Sequence, residues 1–242
     1  MNFFVDNNQI HDNKIEIIGT DVNHIKNVLR KNIDDLITIV SNNKEYKAKI
    51  LDLSQEKIDC EIIDVIEKDN TGPMITIFQG LAKADKIEYI IQKCSEIGAY
   101  EIVPTEMKRC VVKLDDNNKQ KKLERWQKIA EVAAKQSLRD NILIVNRIIS
   151  IDELSEKLQE YDLSIVAYEN EKNNSLKSVL KSVSNSNIKI AIIIGPEGGL
   201  EPQEVESLRE NGANVVTLGK RILRTETAPI VMCSNIMYEL EN

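Results

Sequence analysis

Two loops hold most of the residues of this chain that could do chemistry. The first reads Gly195-Pro-Glu-Gly-Gly-Leu200 and has three glycines in five positions. Glycine removes the Cβ atom, allows positive φ and lets backbone amides approach a ligand closely. The loop matches neither G-x-G-x-x-G nor G-x-x-x-x-G-K-S/T, so a nicotinamide-dependent oxidoreductase and NTP hydrolysis lose their main support. The alternative interpretation of this loop is a tight strand-to-helix turn that binds no ligand.

The second loop reads Leu218-Gly-Lys-Arg-Ile-Leu-Arg-Thr-Glu-Thr-Ala228. Its glycine, cations and apolar residues are Gly219, Lys220, Arg221, Ile222, Leu223 and Arg224. Apolar walls and backbone hydrogen bonds next to cations suit an adenosine-like cofactor beside a phosphate-bearing substrate. A charged loop in which Thr225 or Thr227 caps the following helix is the alternative.

The elements around these loops predict an α/β domain. After the turn signal Asn70-Thr-Gly-Pro73, apolar runs alternate with helical patterns. The predicted strands cover residues 74–78, 101–103, 142–145, 163–167, 188–194 and 215–218, and the predicted helices cover 85–97, 123–138, 151–159, 176–183, 202–211 and 227–240. This alternation indicates a mainly parallel sheet, in which ligands bind beyond the carboxyl ends of the strands. Residues 115–122 and 170–174 are predicted to be polar loops.

The first seventy residues read differently. Partly alternating β-branched residues predict strands over 14–18, 36–40, 45–53 and 58–66, and hence a small β-barrel. One helix is predicted over residues 21–30, with Asp21 as its N-cap. The domain boundary is therefore placed between residues 72 and 73, giving domains 1–72 and 73–242.

Composition limits the function classes. The chain has 32 Lys and Arg against 39 Asp and Glu, so binding of nucleic acid through net positive charge is not expected, and any such site must be local. Only residues 83–147 carry more basic than acidic residues, either as a binding surface or as solvated helix faces. The absence of a C-x-x-C pair and the wide separation of His11 and His24 predict no metal site. No signal peptide or membrane-length apolar run is present, which predicts a cytoplasmic protein without a membrane partner.

The two loops, in this order and separation, resemble those of the RsmE family of 16S ribosomal RNA uracil-N3 methyltransferases, of the SPOUT class. Further similar blocks are His24-Ile-Lys-Asn-Val-Leu-Arg30, Lys93-Cys-Ser-Glu-Ile-Gly98, Arg125-Trp-Gln-Lys-Ile129 and Gln136-Ser-Leu-Arg139. Two departures are Lys135, where such sequences usually have glutamate, and the lack of a proline soon after Arg139.

The resemblance implies a fold, a cofactor and partners. It implies an N-terminal PUA-like β-barrel that helps to bind RNA and a C-terminal SPOUT-type domain with a trefoil knot and a parallel sheet. It implies S-adenosyl-L-methionine as the cofactor, a uridine N3 in 16S rRNA of the small ribosomal subunit as the acceptor, and a homodimer.

Residue roles follow as hypotheses. Arg224 or Arg221 stabilises the developing uracil anion, while a carboxylate (Glu226 or Glu197) or water accepts the N3 proton. Cofactor contacts are assigned to Gly195, Pro196, Glu197, Gly199, Leu218, Gly219, Ile222, Leu223 and Ala228. A phosphate-binding stripe is assigned to Arg30, Lys83, Lys86, Arg109 and Arg139. The alternatives are a non-catalytic RNA-binding ribosome-assembly factor and a methyltransferase acting on another RNA position.

Overall fold

The computed structural model describes residues 1–68 and 71–240. The chain divides into an N-terminal unit, Met1–Asn70 with Ala134–Asn141, and a C-terminal unit, Thr71–Ala133 with Ile142–Asn242. This division lies close to the predicted boundary between residues 72 and 73, but the sequence does not predict that residues 134–141 belong to the N-terminal unit. Asn70, which opens the predicted boundary turn, lies outside the described residues.

The N-terminal unit is built on one sheet. Its strands are β1 (Asn2–Phe4), β2 (Ile10–His11), β3 (Lys14–Ile18), β4 (Leu36–Ser41), β5 (Lys44–Leu53) and β6 (Lys57–Glu67). Their order is β1-β4-β5-β6-β3-β2, and only the β1 and β4 pair is parallel. Alternate residues, such as Ile15 and Ile17, are buried in a single core. The four longer strands agree with the prediction, whereas closure into a barrel stays a prediction.

The helix of this unit differs from its prediction. It begins as α1 (Thr20–Asn23) after Gly19 and continues as a π-helical turn to Val28. Asp21 is therefore in the first turn, and its predicted N-cap role is wrong. Its carboxylate instead pairs with Lys135, whose Nζ lies 2.6 Å from Oδ1. This ion pair gives a physical reason for a lysine at position 135.

The C-terminal unit contains a parallel sheet, as predicted. Its strands are β7 (Met74–Gly80), β8 (Glu101–Glu106), β9 (Ile144–Val145), β10 (Ile149–Ser150), β11 (Leu163–Ala167), β12 (Lys189–Ile194) and β13 (Asn214–Val216). The order is β10-β8-β7-β12-β11-β13, with β9 also beside β8, and every pairing is parallel. Residues from Ile190 to Ile194 of β12 are all buried, because helices cover both faces of the sheet.

Within the described residues 71–240, six α-helices accompany the strands of this sheet. They are α2 (Ala84–Ile97), α3 (Asp116–Gln136), α4 (Ile151–Lys157), α5 (Leu176–Leu180), α6 (Pro202–Glu210) and α7 (Ala228–Leu240). Most of the predicted loop over residues 115–122 is wrong, because α3 starts at residue 116. Asp115 accepts a hydrogen bond from the Asn118 amide (2.8 Å), an N-cap arrangement that starts the helix ahead of its first apolar residue, Leu123. Across the described residues, no helix combines the length and apolarity needed to span a bilayer.

Candidate functional site

A cavity of about 580 Å³ lies at the carboxyl ends of the neighbouring strands β12, β11 and β13. Three segments line it: the glycine loop (residues 195–200), the arginine loop (residues 217–227) and a third loop (residues 168–172). The lining residues are Ala167, Tyr168, Glu169, Glu171, Lys172, Ile194, Gly195, Pro196, Gly199, Leu200, Thr217, Leu218, Gly219, Lys220, Arg221, Ile222, Leu223, Thr225 and Ala228. Its size and position are those of a ligand site in a parallel sheet.

The glycine loop is folded tightly on itself. Gly199 has φ +69° and its amide donates to the Pro196 carbonyl at 2.9 Å, closing a turn. A Cβ atom on Gly195 would lie 2.9 Å from the backbone of Gly199 and Leu200, closer than a side chain tolerates. Glycine at positions 195 and 199 therefore has a structural reason, and it leaves the loop backbone facing the cavity.

The arginine loop starts at one edge of the sheet and ends beside β7, three strand positions away. Gly219 near its start has φ +118°, a conformation that favours glycine. Ile222 is 80% exposed, so an apolar side chain stands at the cavity without a core to cover it. The loop thus offers an apolar wall to a ligand and a glycine whose positive φ turns the backbone beside the cavity.

A buried hydrogen-bond chain anchors the end of the arginine loop. The Thr225 hydroxyl donates to the Gly195 carbonyl at 2.7 Å and accepts from Gln79 Nε2 at 3.0 Å. Gln79 is the penultimate residue of β7 and is fully buried. The Thr225 hydroxyl therefore joins three segments. Of the two residues predicted to cap the last helix, Thr227 directly precedes α7, which begins at Ala228, whereas Thr225 lies too far upstream to cap it.

Three charged groups meet behind the cavity. Lys86 Nζ lies 3.3 Å from Glu226 Oε2 and 3.5 Å from Glu197 Oε1. Glu197 also accepts the backbone amide of Lys83 at 3.1 Å. Partial burial alone would raise the pKa of Glu197, but the Lys83 amide and the Lys86 charge outweigh it and lower the pKa. Both carboxylates are therefore engaged by the start of α2.

The structure separates the predicted site residues into two groups. Every predicted cofactor residue except Glu197 lines the cavity, and so does Arg221. Arg224 and Glu226 are not among the lining residues. The Arg224 side chain is 83% exposed, and its Nη1 lies 3.9 Å from Glu226 Oε1. Glu226, the candidate acceptor of the N3 proton, and Arg224, the candidate stabiliser of the uracil anion, are thus neighbours.

The predicted phosphate contacts are distributed over both units. Lys83, Lys86 and Arg109 belong to the C-terminal unit, and Arg30 and Arg139 to the N-terminal unit. Arg109 Nη1 donates to the Gly198 carbonyl at 3.1 Å, so this arginine supports the glycine loop from outside. The single stripe stays a prediction.

The third loop and the Gln79 contact are missing from the sequence prediction. Residues 170–174 are predicted only as a polar loop, although they follow a strand of the same parallel sheet, which is the signal that points to a site. Glu171 shapes this loop by accepting the amides of Lys172, Asn173 and Asn174 at 2.9, 2.8 and 3.1 Å. The sequence signal for Gln79 as a residue that supports the site is weaker, because it is only one polar residue near the end of an apolar strand.

Comparisons with known proteins agree with this geometry. The model of an RNA methyltransferase domain matches residues 70–237, and that of an RNA methyltransferase PUA domain matches residues 17–63. The Bacillus subtilis (strain 168) protein named ribosomal RNA small subunit methyltransferase E is 40% identical over 230 residues, which cover 93% of this chain and 90% of that protein. The namesake from Mesomycoplasma hyopneumoniae (strain 232) is 34% identical over 239 residues, covering 98% and 99%.

A solved structure extends the similarity to the fold. The crystal structure of a ribosomal RNA small subunit methyltransferase E from Neisseria gonorrhoeae, bound to S-adenosyl methionine, superposes with a TM-score of 0.84 at 30% identity. The match covers 98% of this chain and 96% of that one. The N-terminal unit is thus PUA-like, and the resemblance read from the two loops is confirmed. The chain belongs to the ribosomal RNA small subunit methyltransferase E family.

Proposed function

We propose that this protein is an S-adenosylmethionine-dependent methyltransferase that acts on N3 of a specific uridine in 16S rRNA of the small ribosomal subunit. The observation that carries the proposal is the cavity where the glycine and arginine loops meet at the carboxyl ends of adjacent parallel strands. The family membership supports RNA methylation, and the S-adenosyl methionine in the Neisseria gonorrhoeae structure supports the cofactor.

The residues present fit this cofactor. A Cβ atom on Gly195 would clash with the backbone of Gly199 and Leu200, and one on Gly199 would clash with the Glu169 carboxylate. Glycine at both positions therefore lets the loop fold with its backbone at the cavity, where it can approach a ligand closely. Leu218, Ile222 and Leu223 supply apolar surface on the opposite loop. When bound, S-adenosylmethionine supplies a methyl group on a sulfonium sulfur that a nucleophile can displace. The loops would hold and orient it, and the apolar side chains would exclude water.

The acceptor nitrogen needs help that the arginine loop can provide. Uracil N3 carries a proton and is used in base pairing, so the base must be unpaired and must lose that proton. Arg221, at the cavity, or Arg224, beside it, would stabilise the negative charge that develops on the uracil oxygens. Glu226, which lies beside Arg224, or water would accept the proton. Glu197 is disfavoured as the acceptor because the Lys83 amide and the Lys86 charge lower its pKa.

Replacing Arg224 by alanine tests this role. Removing one donor to a developing anion typically costs roughly 10²–10³ in kcat, so we expect a loss of that order with cofactor affinity retained. The matched control is Arg209→Ala, which removes an exposed arginine of α6 that pairs with Glu206. Methyl transfer by the Arg224 variant within a few-fold of the wild type would reject the arginine role.

RNA binding is proposed to use both units. Arg30, Arg139, Lys83 and Arg109 would contact phosphates, so RNA affinity should fall steeply as salt rises. Lys86, the fifth predicted contact, is left out of this proposal because its ammonium pairs with Glu197 and Glu226. The double variant Arg109→Ala/Arg139→Ala should bind more weakly and with a shallower salt dependence. Normal binding by that variant, or binding insensitive to salt, would remove the stripe from the proposal.

The proposal also includes a trefoil knot, a homodimer and a cytoplasmic location. The course of the arginine loop from the sheet edge back to β7 supports a trefoil knot in the C-terminal unit. We propose a homodimer with each site near the partner subunit, which light scattering of the purified protein would test. A substrate in the small ribosomal subunit supports a cytoplasmic location. Binding of S-adenosylmethionine, measured by calorimetry, separates this function from a non-catalytic assembly factor, which need not bind it.

A further inference from the structure

Lys86 lies in an unusual position for a helix lysine. It is in the first turn of α2, and its ammonium lies between two carboxylates that come from different loops, 3.5 Å from Glu197 and 3.3 Å from Glu226. The side chains of Lys86, Glu197 and Glu226 are only 30%, 23% and 18% exposed. By contrast, Lys93 on the same helix pairs locally with Glu96, three residues away.

Such a cluster is held together by its cation. Without the ammonium, two like charges would stay close together and largely shielded from water, which is unfavourable for both. The carboxylates belong to the glycine loop and to the arginine loop, next to Thr225. Neither Glu197 nor Glu226 lines the cavity, so the cluster would act on the bound cofactor by placing the two loops.

We propose that Lys86 is a positioning residue that ties the glycine loop to the arginine loop and so holds the two walls of the cofactor cavity at their working separation. The inference rests on the proposed function for the identity of the ligand. It differs from the phosphate contact predicted for Lys86, because a positioning residue acts on cofactor affinity and a phosphate contact acts on RNA affinity.

The variant Lys86→Met removes the ammonium and keeps much of the side chain's length. Because one partner of a shielded ion pair is removed, we expect cofactor affinity, measured by calorimetry with S-adenosylmethionine, to fall roughly ten-fold or more. The salt slope of RNA binding should stay at the wild-type value. The variant Lys86→Arg, which keeps the charge, should recover most of the affinity.

Two controls separate this role from a general effect. Lys93→Met removes a lysine of similar exposure, 33%, from the same helix and should leave cofactor affinity unchanged. Amide hydrogen exchange of the ligand-free protein gives a readout that needs no cofactor. In Lys86→Met, peptides covering residues 195–200 and 217–228 should exchange faster, while those covering β7 should not.

The outcomes are distinct. Unchanged cofactor affinity and unchanged exchange in Lys86→Met would overturn the proposal, as would a reduced salt slope of RNA binding with normal cofactor affinity. If the wild type fails to bind S-adenosylmethionine, the proposed function fails, while the exchange experiment still decides the role of Lys86. If Lys86→Met does not fold, the charge-deleted Lys86→Met/Glu226→Gln variant replaces it, and wild-type exchange in its two loops would overturn the proposal.

Discussion

Replacing Thr225 by valine keeps the shape of the side chain and removes its hydroxyl. The hydroxyl donates to the Gly195 carbonyl at 2.7 Å and accepts from Gln79 Nε2 at 3.0 Å, and Thr225 is 8% exposed. Gln79 keeps its second contact, to the Gly80 carbonyl at 3.1 Å. Two buried groups then each lose a partner, and since each loss costs about 1–3 kcal/mol, we expect the free energy of unfolding to fall by roughly 2–6 kcal/mol.

Urea unfolding followed by tryptophan fluorescence measures this loss. The chain has one tryptophan, Trp126, which is buried in the core of the C-terminal unit, so the signal reports on the unit that contains Thr225. Thr225→Ser keeps the hydroxyl and should lose less than the valine variant. Equal stability of the valine and serine variants would refute the view that this hydroxyl holds the two loops, whatever the change in cofactor affinity.

Two further predictions concern the loops themselves. Gly219→Ala places a side chain at φ +118° in open space, so the substitution adds only backbone strain of roughly 1–3 kcal/mol. Because this strain falls on the arginine loop, S-adenosylmethionine should bind more weakly. The control Gly212→Ala, at φ +93° after α6, should be strained in the same way without affecting binding. The lowered pKa of Glu197 means that its stabilising contribution is complete above the unfolded value of about 4.3 and is lost as pH falls through the lower folded value. The stability difference between wild type and Glu197→Gln, measured by urea unfolding, should therefore be largest at pH 5–7 and shrink below about pH 4; a difference independent of pH would contradict this assignment.

The fold could be predicted where hydrophobic patterns are long. The strand predicted over residues 163–167 is found at Leu163–Ala167, because a continuous apolar run is typical of a parallel strand that is buried on both faces. The prediction fails at β1, β2 and β10, whose two or three residues carry no periodicity. It also fails at the start of α3, where the helix is set by the Asp115 cap and not by an apolar face.

The site could be predicted only as separate loops. Glycine-rich and arginine-rich segments after strands pointed to a ligand site, and both line one cavity. The contacts of Gln79 with Thr225, and of Lys86 with Glu226, join residues that are far apart in sequence. Local patterns carry no information on such pairs, so the anchoring of the loops emerges only from the packed structure.

The central claim is tested most directly by methyl transfer from labelled S-adenosylmethionine to small ribosomal subunits that lack the modification, with naked rRNA in parallel, followed by identification of the modified nucleoside. We predict label in 3-methyluridine at one site of 16S rRNA. Label in a different nucleoside would overturn the assigned acceptor, whereas neither transfer nor binding of the cofactor would contradict the methyltransferase assignment and favour a non-catalytic RNA-binding factor.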